Sequence, residues 1–371
     1  MSILYHRAKP YFSDSDKHQI LRKCKKMLDT GALVQGKYVS EFENKFAKTV
    51  GTKYAIATNS CTSALELTIK SLEIRGKKIL VPTETFMATG NSVILSGNTP
   101  VFTDIDKSTL CMSYDNIMDR MSYNVSAIIM VHMGGFITYD IDRIRRYCKD
   151  KNIYLIEDAA HAHGSKYLSE YAGSIGDAGC FSFYPTKVIT TGEGGMITTN
   201  NKAIMERTRT LRNHGSDGEL GLYPASNDRM TEMSAILGIS QLRRLKEFVE
   251  KRNYISGRYR ELLRDETEIS FFPEHNKIRN SYWNFYFILN TIDRDIFIKK
   301  MLEFGVQTGY AYFPPCHAQP VFKKYVTDFK FEVADNILSK HVSLPMYIEL
   351  SDTDINFITN KVKEVIDDCK K

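Results

Sequence analysis

Residues 180–200 read CFSFYPTKVITTGEGGMITTN. An alternation of aromatics that suits a buried strand gives way to a single lysine, Lys187, and then to a glycine-dense turn at Gly192, Gly194 and Gly195. A lysine so placed is either a solvated loop charge or an enclosed nucleophile, and the rest of the chain decides which. No G-K-[ST] follows the glycines, so the turn is not a nucleotide-binding P-loop. Backbone running close beside the lysine is the better reason for residues without side chains.

Upstream, apolar runs of strand length alternate with segments of helical period. KYAIATN (53–59) is followed by TSALELTIKSLEI, KKILVP by MATGNSVILSG, and TPVFTDI and VSAIIMV by DIDRIRRYCKDK, with NIYLIED (152–158) closing the series. Short buried strands separated by amphipathic helices predict an α/β protein built on a mostly parallel sheet with helices on both faces. After residue 200 the pattern becomes helical, including one long helix from Met230 to about Leu263, and ends in a mixed α/β tail. The expected division is a large domain of residues 1–250 and a smaller C-terminal α/β domain of residues 251–371.

The bulk composition narrows the function classes. At 371 residues, with 43% hydrophobic and 25% charged residues, the chain has the balance of a globular protein with a large core. The net charge of +6 is spread along helical patterns such as RRLKEFVEKR and forms no basic tract, which argues against nucleic-acid binding. Seven cysteines, odd in number, scattered and without a C-x-x-C pair, suit a reducing compartment and no disulfide framework. The start, MSILYHRAKPYFSDSDK, lacks an apolar signal core, and the longest apolar stretch, VSAIIMVHMGGF, is too short to span a bilayer. A cytoplasmic protein that does not enter membranes is expected.

The candidate chemistry falls at strand ends, where sheets of this kind bind ligands. Asp158 closes an apolar strand, and Ser182 and Lys187 follow another. TNSCTSAL (58–65) offers hydroxyls and backbone N–H groups at a helix start, a natural phosphate site around Ser60, Cys61 and Thr62. Pyridoxal phosphate needs such a set: an amine to form an imine, a carboxylate for its ring nitrogen, a phosphate cradle and a ring-stacking group. Lys187, Asp158, the 60–62 turn with Ser182, and Phe86 supply it. Other readings of the same residues are weaker. His161 and His163 form an H-x-H that lacks an obvious third ligand beside Asp158, so no metal is expected. Cys61 and Cys180 sit among small and apolar residues and read as packing groups.

Four stretches, EDAAHAHG, GSIGDAGCFSFYPTKVITTGEGGMITTN, PTETFMATGNSVILSGNTPVFTDID and VQGKYVSEFENKFAKTVGTKYAIATNSCTSALEL, resemble the DegT/StrS sugar aminotransferases of the pyridoxal-phosphate fold type I. The similarity runs from about Gly31 to SLPMY near Leu344. The resemblance implies that Lys187 carries the cofactor and then moves the proton. It implies that Asp158 pairs with the ring nitrogen, that Thr62 and Ser182 hold the phosphate with help from backbone around Cys61, and that Phe86 stacks on the ring. It further implies that Asn227 reaches the phosphate of a neighbouring subunit, so a homodimer with shared active sites is expected.

Two positions depart from the family pattern. His161, counted among the cofactor's neighbours, stands where members acting on nucleotide sugars often carry glutamine, and Asp228 stands where a tyrosine is common. Both point toward a smaller acceptor. Lys187 is intact, unlike in the dehydratase branch, which has histidine there. Tyr310, Tyr312 and His317 are candidates for the substrate side. The implied activity is transfer of an amino group from L-glutamate to a nucleotide-linked keto-deoxysugar for polysaccharide or capsule. The alternatives are a small ketone, such as dihydroxyacetone phosphate or a keto-cyclitol, and a catalytically inactive regulator.

Overall fold

A computed structural model describes residues 3–326 and 329–370. In chain order its strands are β1 (Tyr54–Thr58), β2 (Lys78–Pro82), β3 (Thr99–Thr103), β4 (Val125–Val131), β5 (Tyr154–Asp158), β6 (Lys166–Tyr167) and β7 (Glu170–Tyr171). They continue with β8 (Ala178–Ser182), β9 (Gly195–Thr199), β10 (Ile269–Phe271), β11 (Ile278–Arg279), β12 (Phe285–Leu289) and β13 (His341–Leu344). Seven of them form the main sheet, in the order β1-β9-β8-β5-β4-β2-β3. Only β9 runs against the rest. The exception explains the opening stretch. β8 and β9 are antiparallel neighbours, with Ser182 opposite Gly195, so the chain between them turns back without a crossover helix and Lys187 lies in that return.

Strand alternation sorts the side chains of this unit. Phe181 and Phe183 face the helix Lys37–Val50, whose Phe42 and Phe46, one helical turn apart, pack on them with ring centroids 4.9–5.5 Å apart. Cys180 and Ser182 face the other way, toward the helix Cys61–Ser71, where Thr68 Oγ1 meets Cys180 Sγ at 3.4 Å. One face of β8 is therefore spent on the core and the other is left for chemistry.

The single helix expected from Met230 to Leu263 is two, Glu232–Arg243 and Leu245–Leu263. Arg244 breaks the helix at φ −100°, ψ 0°. Arg243 and Arg244 both bind the buried carboxylate of Asp16, at 2.6 and 3.0 Å, and adjacent residues of a straight helix point about 100° apart. Both helices bury apolar residues in the same core, so the hydrophobic spacing runs through the break unmarked.

The second of these helices contains residue 250, the expected domain boundary, and leads to a three-stranded sheet, β10-β12-β13. The N-terminal segment joins this part of the molecule. Tyr5 bridges Val306, Gln307 N donates to Tyr5 O, and Gly309 pairs in turn with Ser343 of β13. Residues 5–7 are thus delivered, from the opposite end of the chain, to the edge of the C-terminal sheet. Strands β11, β6 and β7 make a third, small sheet. Among the described residues no helix is long and apolar enough to cross a membrane.

Candidate active site

The carboxyl ends of β1, β2, β5 and β8 open on one cavity of about 560 Å³, closed on its far side by Arg7, Trp283 and Tyr312. Ser60, Cys61, Thr62, Phe86, Asp158, His161, Ser182 and Lys187 all line it. Asn227 does not.

At one end stands the amino terminus of the helix Cys61–Ser71. Ser60 caps it, its hydroxyl accepting from Ser63 N at 3.1 Å, which leaves the N–H groups of Cys61 and Thr62 beyond the reach of any intrahelical bond. Ser182 lines the same cavity. The helix terminus favours an anion there. Gly195 is required by the close approach behind this turn, because a Cβ on it would lie 2.3 Å from Ser60 O.

Two adjacent carboxylates end β5 and do different work, because neighbouring strand residues face opposite ways. Glu157 is structural. It accepts from the backbone N–H groups of Gly173, Ile175 and Gly176 at 2.7–2.8 Å and pairs with His132 Nε2 at 2.8 Å. Asp158 faces the cavity, with Oδ2 accepting from Thr89 Oγ1 at 2.8 Å and Oδ1 from Ala160 N at 3.2 Å. Burial raises its pKa above the usual carboxylate range, against those two hydrogen bonds and the nearby Lys187 charge. A cationic ring nitrogen beside it would oppose the shift and favour the carboxylate.

Lys187 Nζ lies 4.4 Å from the centre of the Trp283 ring. Burial brings its pKa down to about 8, with the Arg7 charge acting in the same direction and Asp158 opposing. Lys187 is thus a half-buried amine on the cavity wall, with its pKa brought down toward physiological pH. His161 stacks flat on Trp283, ring centroids 3.6 Å apart at 12°, and its Nε2 lies 3.0 Å from the Tyr312 hydroxyl. Its Nδ1 accepts from Gly134 N at 3.4 Å, which assigns the proton to Nε2, and burial holds the ring neutral, far below its ordinary pKa. His163 points elsewhere, between Phe181 and Phe183, so the H-x-H pair does not converge. Among the described residues no three His, Cys, Asp or Glu side chains gather as a metal would require.

Phe86 stands at the cavity rim, 49% exposed and 5.3 Å from the Tyr312 ring. Of the substrate-side candidates only Tyr312 lines the cavity. Tyr310 lies under the Arg294 guanidinium, and His317 stacks on Phe331 and bonds Thr83. Asp228 is turned away, accepting from the Ser63 and Ser226 hydroxyls at 2.6 and 2.5 Å, so it fastens the turn from behind. Exposed Asn227 lies beside the same turn, its carbonyl accepting from Asn59 Nδ2 at 3.3 Å. Sequence reasoning missed Arg7, Thr89, Glu193 and Trp283. Trp283 had a signal, being the one tryptophan of the chain, and Thr89 lies in the same stretch as Phe86.

The cavity fits pyridoxal phosphate: an anion site, a half-buried amine, a buried carboxylate and flat rings meet in one space. The profile of the DegT/DnrJ/EryC1/StrS aminotransferase family matches residues 14–363. The chain is 33% identical to the spore coat polysaccharide biosynthesis protein SpsC of Bacillus subtilis, over 91% of this chain and 92% of that one. It is 30% identical to the GDP-perosamine synthase of Escherichia coli O157:H7, over 90% and 92%. Among solved structures, the PLP form of the putative sugar aminotransferase Spr1654 from Streptococcus pneumoniae superposes with a TM-score of 0.90 at 25% identity, covering 100% of both chains.

Proposed function

Since the chain belongs to the DegT/DnrJ/EryC1/StrS aminotransferase family and is a pyridoxal-phosphate-dependent aminotransferase, we propose that it aminates a nucleotide-linked keto-deoxysugar with L-glutamate as donor. The observation that carries this reading is the meeting of Lys187, Asp158 and the Cys61–Ser71 helix terminus in one cavity at the strand ends. The names of the GDP-perosamine synthase and of SpsC support the acceptor class and a polysaccharide destination for the amino sugar.

When bound, pyridoxal phosphate supplies an electron sink for the carbon that carries the migrating amine. The chain's residues do the rest. The N–H groups of Cys61 and Thr62, the Thr62 side chain and the Ser182 hydroxyl hold the phosphate. Asp158, fixed by Thr89 and Ala160 N, keeps the ring nitrogen protonated. Phe86 and His161 flank the ring. Lys187 would carry the cofactor and, as a free amine, would move the proton between the donor's α-carbon and the cofactor carbon on one face. An amine whose pKa lies near physiological pH suits both tasks.

Of the two positions that favoured a small ketone, Asp228 is engaged by the Ser63 hydroxyl of its own chain, which gives it a structural task and weakens its support for that alternative. The test is a pair of half-reactions on the loaded enzyme. L-glutamate should bleach the absorbance of the lysine-bound cofactor, and a nucleotide-linked keto-deoxysugar should restore it while dihydroxyacetone phosphate does not. Recovery with the phosphorylated ketone alone would overturn the acceptor assignment.

The exposed Asn227 supports a homodimer in which it completes the phosphate site of the other subunit. Lys187→Ala and Asn227→Arg should each be inactive alone. Co-expressed, they should recover about a quarter of the activity, because half of random dimers then carry one intact site of two. No recovery would mean that Asn227 acts within its own chain, and an active Asn227→Arg variant would mean that it does not act at all.

A further inference from the structure

Among the described residues two cationic side chains, Arg7 and Lys187, line the cavity, and only one is accounted for. Lys187 is committed to the cofactor. The other, Arg7, enters from the edge of the C-terminal sheet, with its backbone pinned on both sides: Arg7 N donates to Gln307 Oε1 at 3.1 Å and Met346 N donates to Arg7 O at 3.0 Å. Its Nη1 donates to Tyr310 O at 3.1 Å, and among the described residues no carboxylate pairs with it. A guanidinium has five N–H groups in a planar fork matched to a carboxylate, and most of this one remain free.

The surroundings are shaped to admit it. A Cβ on Gly309 would lie 2.5 Å from Arg7 Nη1 and 2.8 Å from its Cδ, so the absence of a side chain at 309 is what lets the guanidinium pass into the cavity. It is fastened to the carbonyl of Tyr310, two residues before Tyr312, and its charge is felt by Lys187 and His161, whereas the phosphate end of the cavity is formed by different elements, at the ends of β1 and β8.

We propose that Arg7 is the anchor for the carboxylate of the amino-acid donor. The inference rests on the aminotransferase reading above and specifies its donor subsite. The chemistry favours the donor over the acceptor. In an amino acid the carboxylate is bonded to the very carbon that carries the amine, so it must come to rest close to Lys187 whatever the donor's side chain. In a nucleotide-linked sugar the diphosphate hangs from the anomeric carbon, with part of the ring between it and the ketone. A fixed cation in the cavity of Lys187 therefore matches the first and not the second.

The experiment compares Arg7→Gln, Arg7→Lys and Gly309→Ala with the parent holoenzyme. Gly309→Ala leaves the arginine in place and displaces its guanidinium. Two quantities are measured: the equilibrium binding of maleate, a dicarboxylate that cannot transaminate, by titration calorimetry, and the single-turnover kcat/KM of each half-reaction. Arg7→Gln should weaken maleate binding and slow the L-glutamate half-reaction by about 100-fold each, as expected when one partner of an enclosed ion pair is removed. Arg7→Lys and Gly309→Ala should fall between, and the acceptor half-reaction should lose far less in all three. Equal losses in both half-reactions would reduce Arg7 to a structural role. Loss confined to the acceptor half-reaction would make it a reader of the sugar's phosphates, and unchanged maleate binding would remove the anchor altogether. Any of these three overturns the proposal. The maleate titration needs no turnover, so failure of this anchor remains distinguishable from failure of the proposed acceptor or donor.

Discussion

Lys187→Ala should lower turnover by about 10⁴-fold or more, the upper end of what a general acid–base group contributes, because one side chain both carries the cofactor and moves the proton. The variant should still fold, since Lys187 lines a cavity and fills no core. At neutral pH its apo form should unfold at the parent's temperature or above it, because a charge that burdens the fold is gone, and the spectral signature of a lysine-bound cofactor should be missing. The unsubstituted lysine makes a second, quantitative statement. Its pKa of about 8 lies well below that of an ordinary lysine, so the free amine becomes the majority species above pH 8. An ordinary lysine would be only about 0.3% free at that pH. The rate at which the apo protein captures pyridoxal phosphate should therefore climb through a midpoint near 8 and then level off. The sign for stability follows. The folded state binds fewer protons than the unfolded one between about pH 8 and 10.5, so this group adds stability to the apo protein as pH rises through that window, and below it the buried charge is a burden. A capture rate still rising in proportion to hydroxide at pH 10 would show that Lys187 is an ordinary surface amine.

Asp158→Asn should separate stability from activity. The carboxyl is buried and its pKa is raised, so in the apo protein its charge is a cost. The isosteric amide removes that charge and keeps an oxygen for Thr89 or Ala160 N, and the apo variant should melt at the same temperature as the parent or higher. With the cofactor bound the balance reverses. An amide cannot hold a ring nitrogen in its protonated form by charge, and the L-glutamate half-reaction should slow by about 10³-fold, the scale of losing one preorganised electrostatic partner. The measurement is the pair: unfolding temperature of the apo form, and single-turnover rate of the loaded form. Activity within tenfold of the parent would release Asp158 from the proposed role.

These two residues were legible in the sequence for a physical reason. Asp158 and Lys187 follow apolar strands, and in a parallel sheet the strand ends converge, so one-dimensional position already implies three-dimensional proximity. The same holds for Ser60, Thr62 and Ser182. Arg7 was invisible because nothing local marks it: it reaches the cavity through pairing of Tyr5 with Val306, a contact between segments some three hundred positions apart. The His161 stack on Trp283 is likewise a meeting of distant segments. The turn at Arg244 escaped because apolar periodicity reports which side of a helix is buried, whereas the bend there is set by a polar contact with Asp16. Asp228 has a structural task that no sequence pattern marks. Its identity was informative, but its side chain fastens Ser63 from behind the turn, and composition cannot tell the front of a loop from its back.

The position of the only tryptophan has a practical consequence. With the indole of Trp283 against His161 and beneath Lys187, every photon of tryptophan emission originates inside the reaction chamber. Arrival of a conjugated cofactor should quench that emission by energy transfer, and conversion between its aldehyde and amine forms should change the overlap and hence the colour and intensity of the light. The protein carries its own label, and each step of the exchange can be followed in real time without attaching a dye.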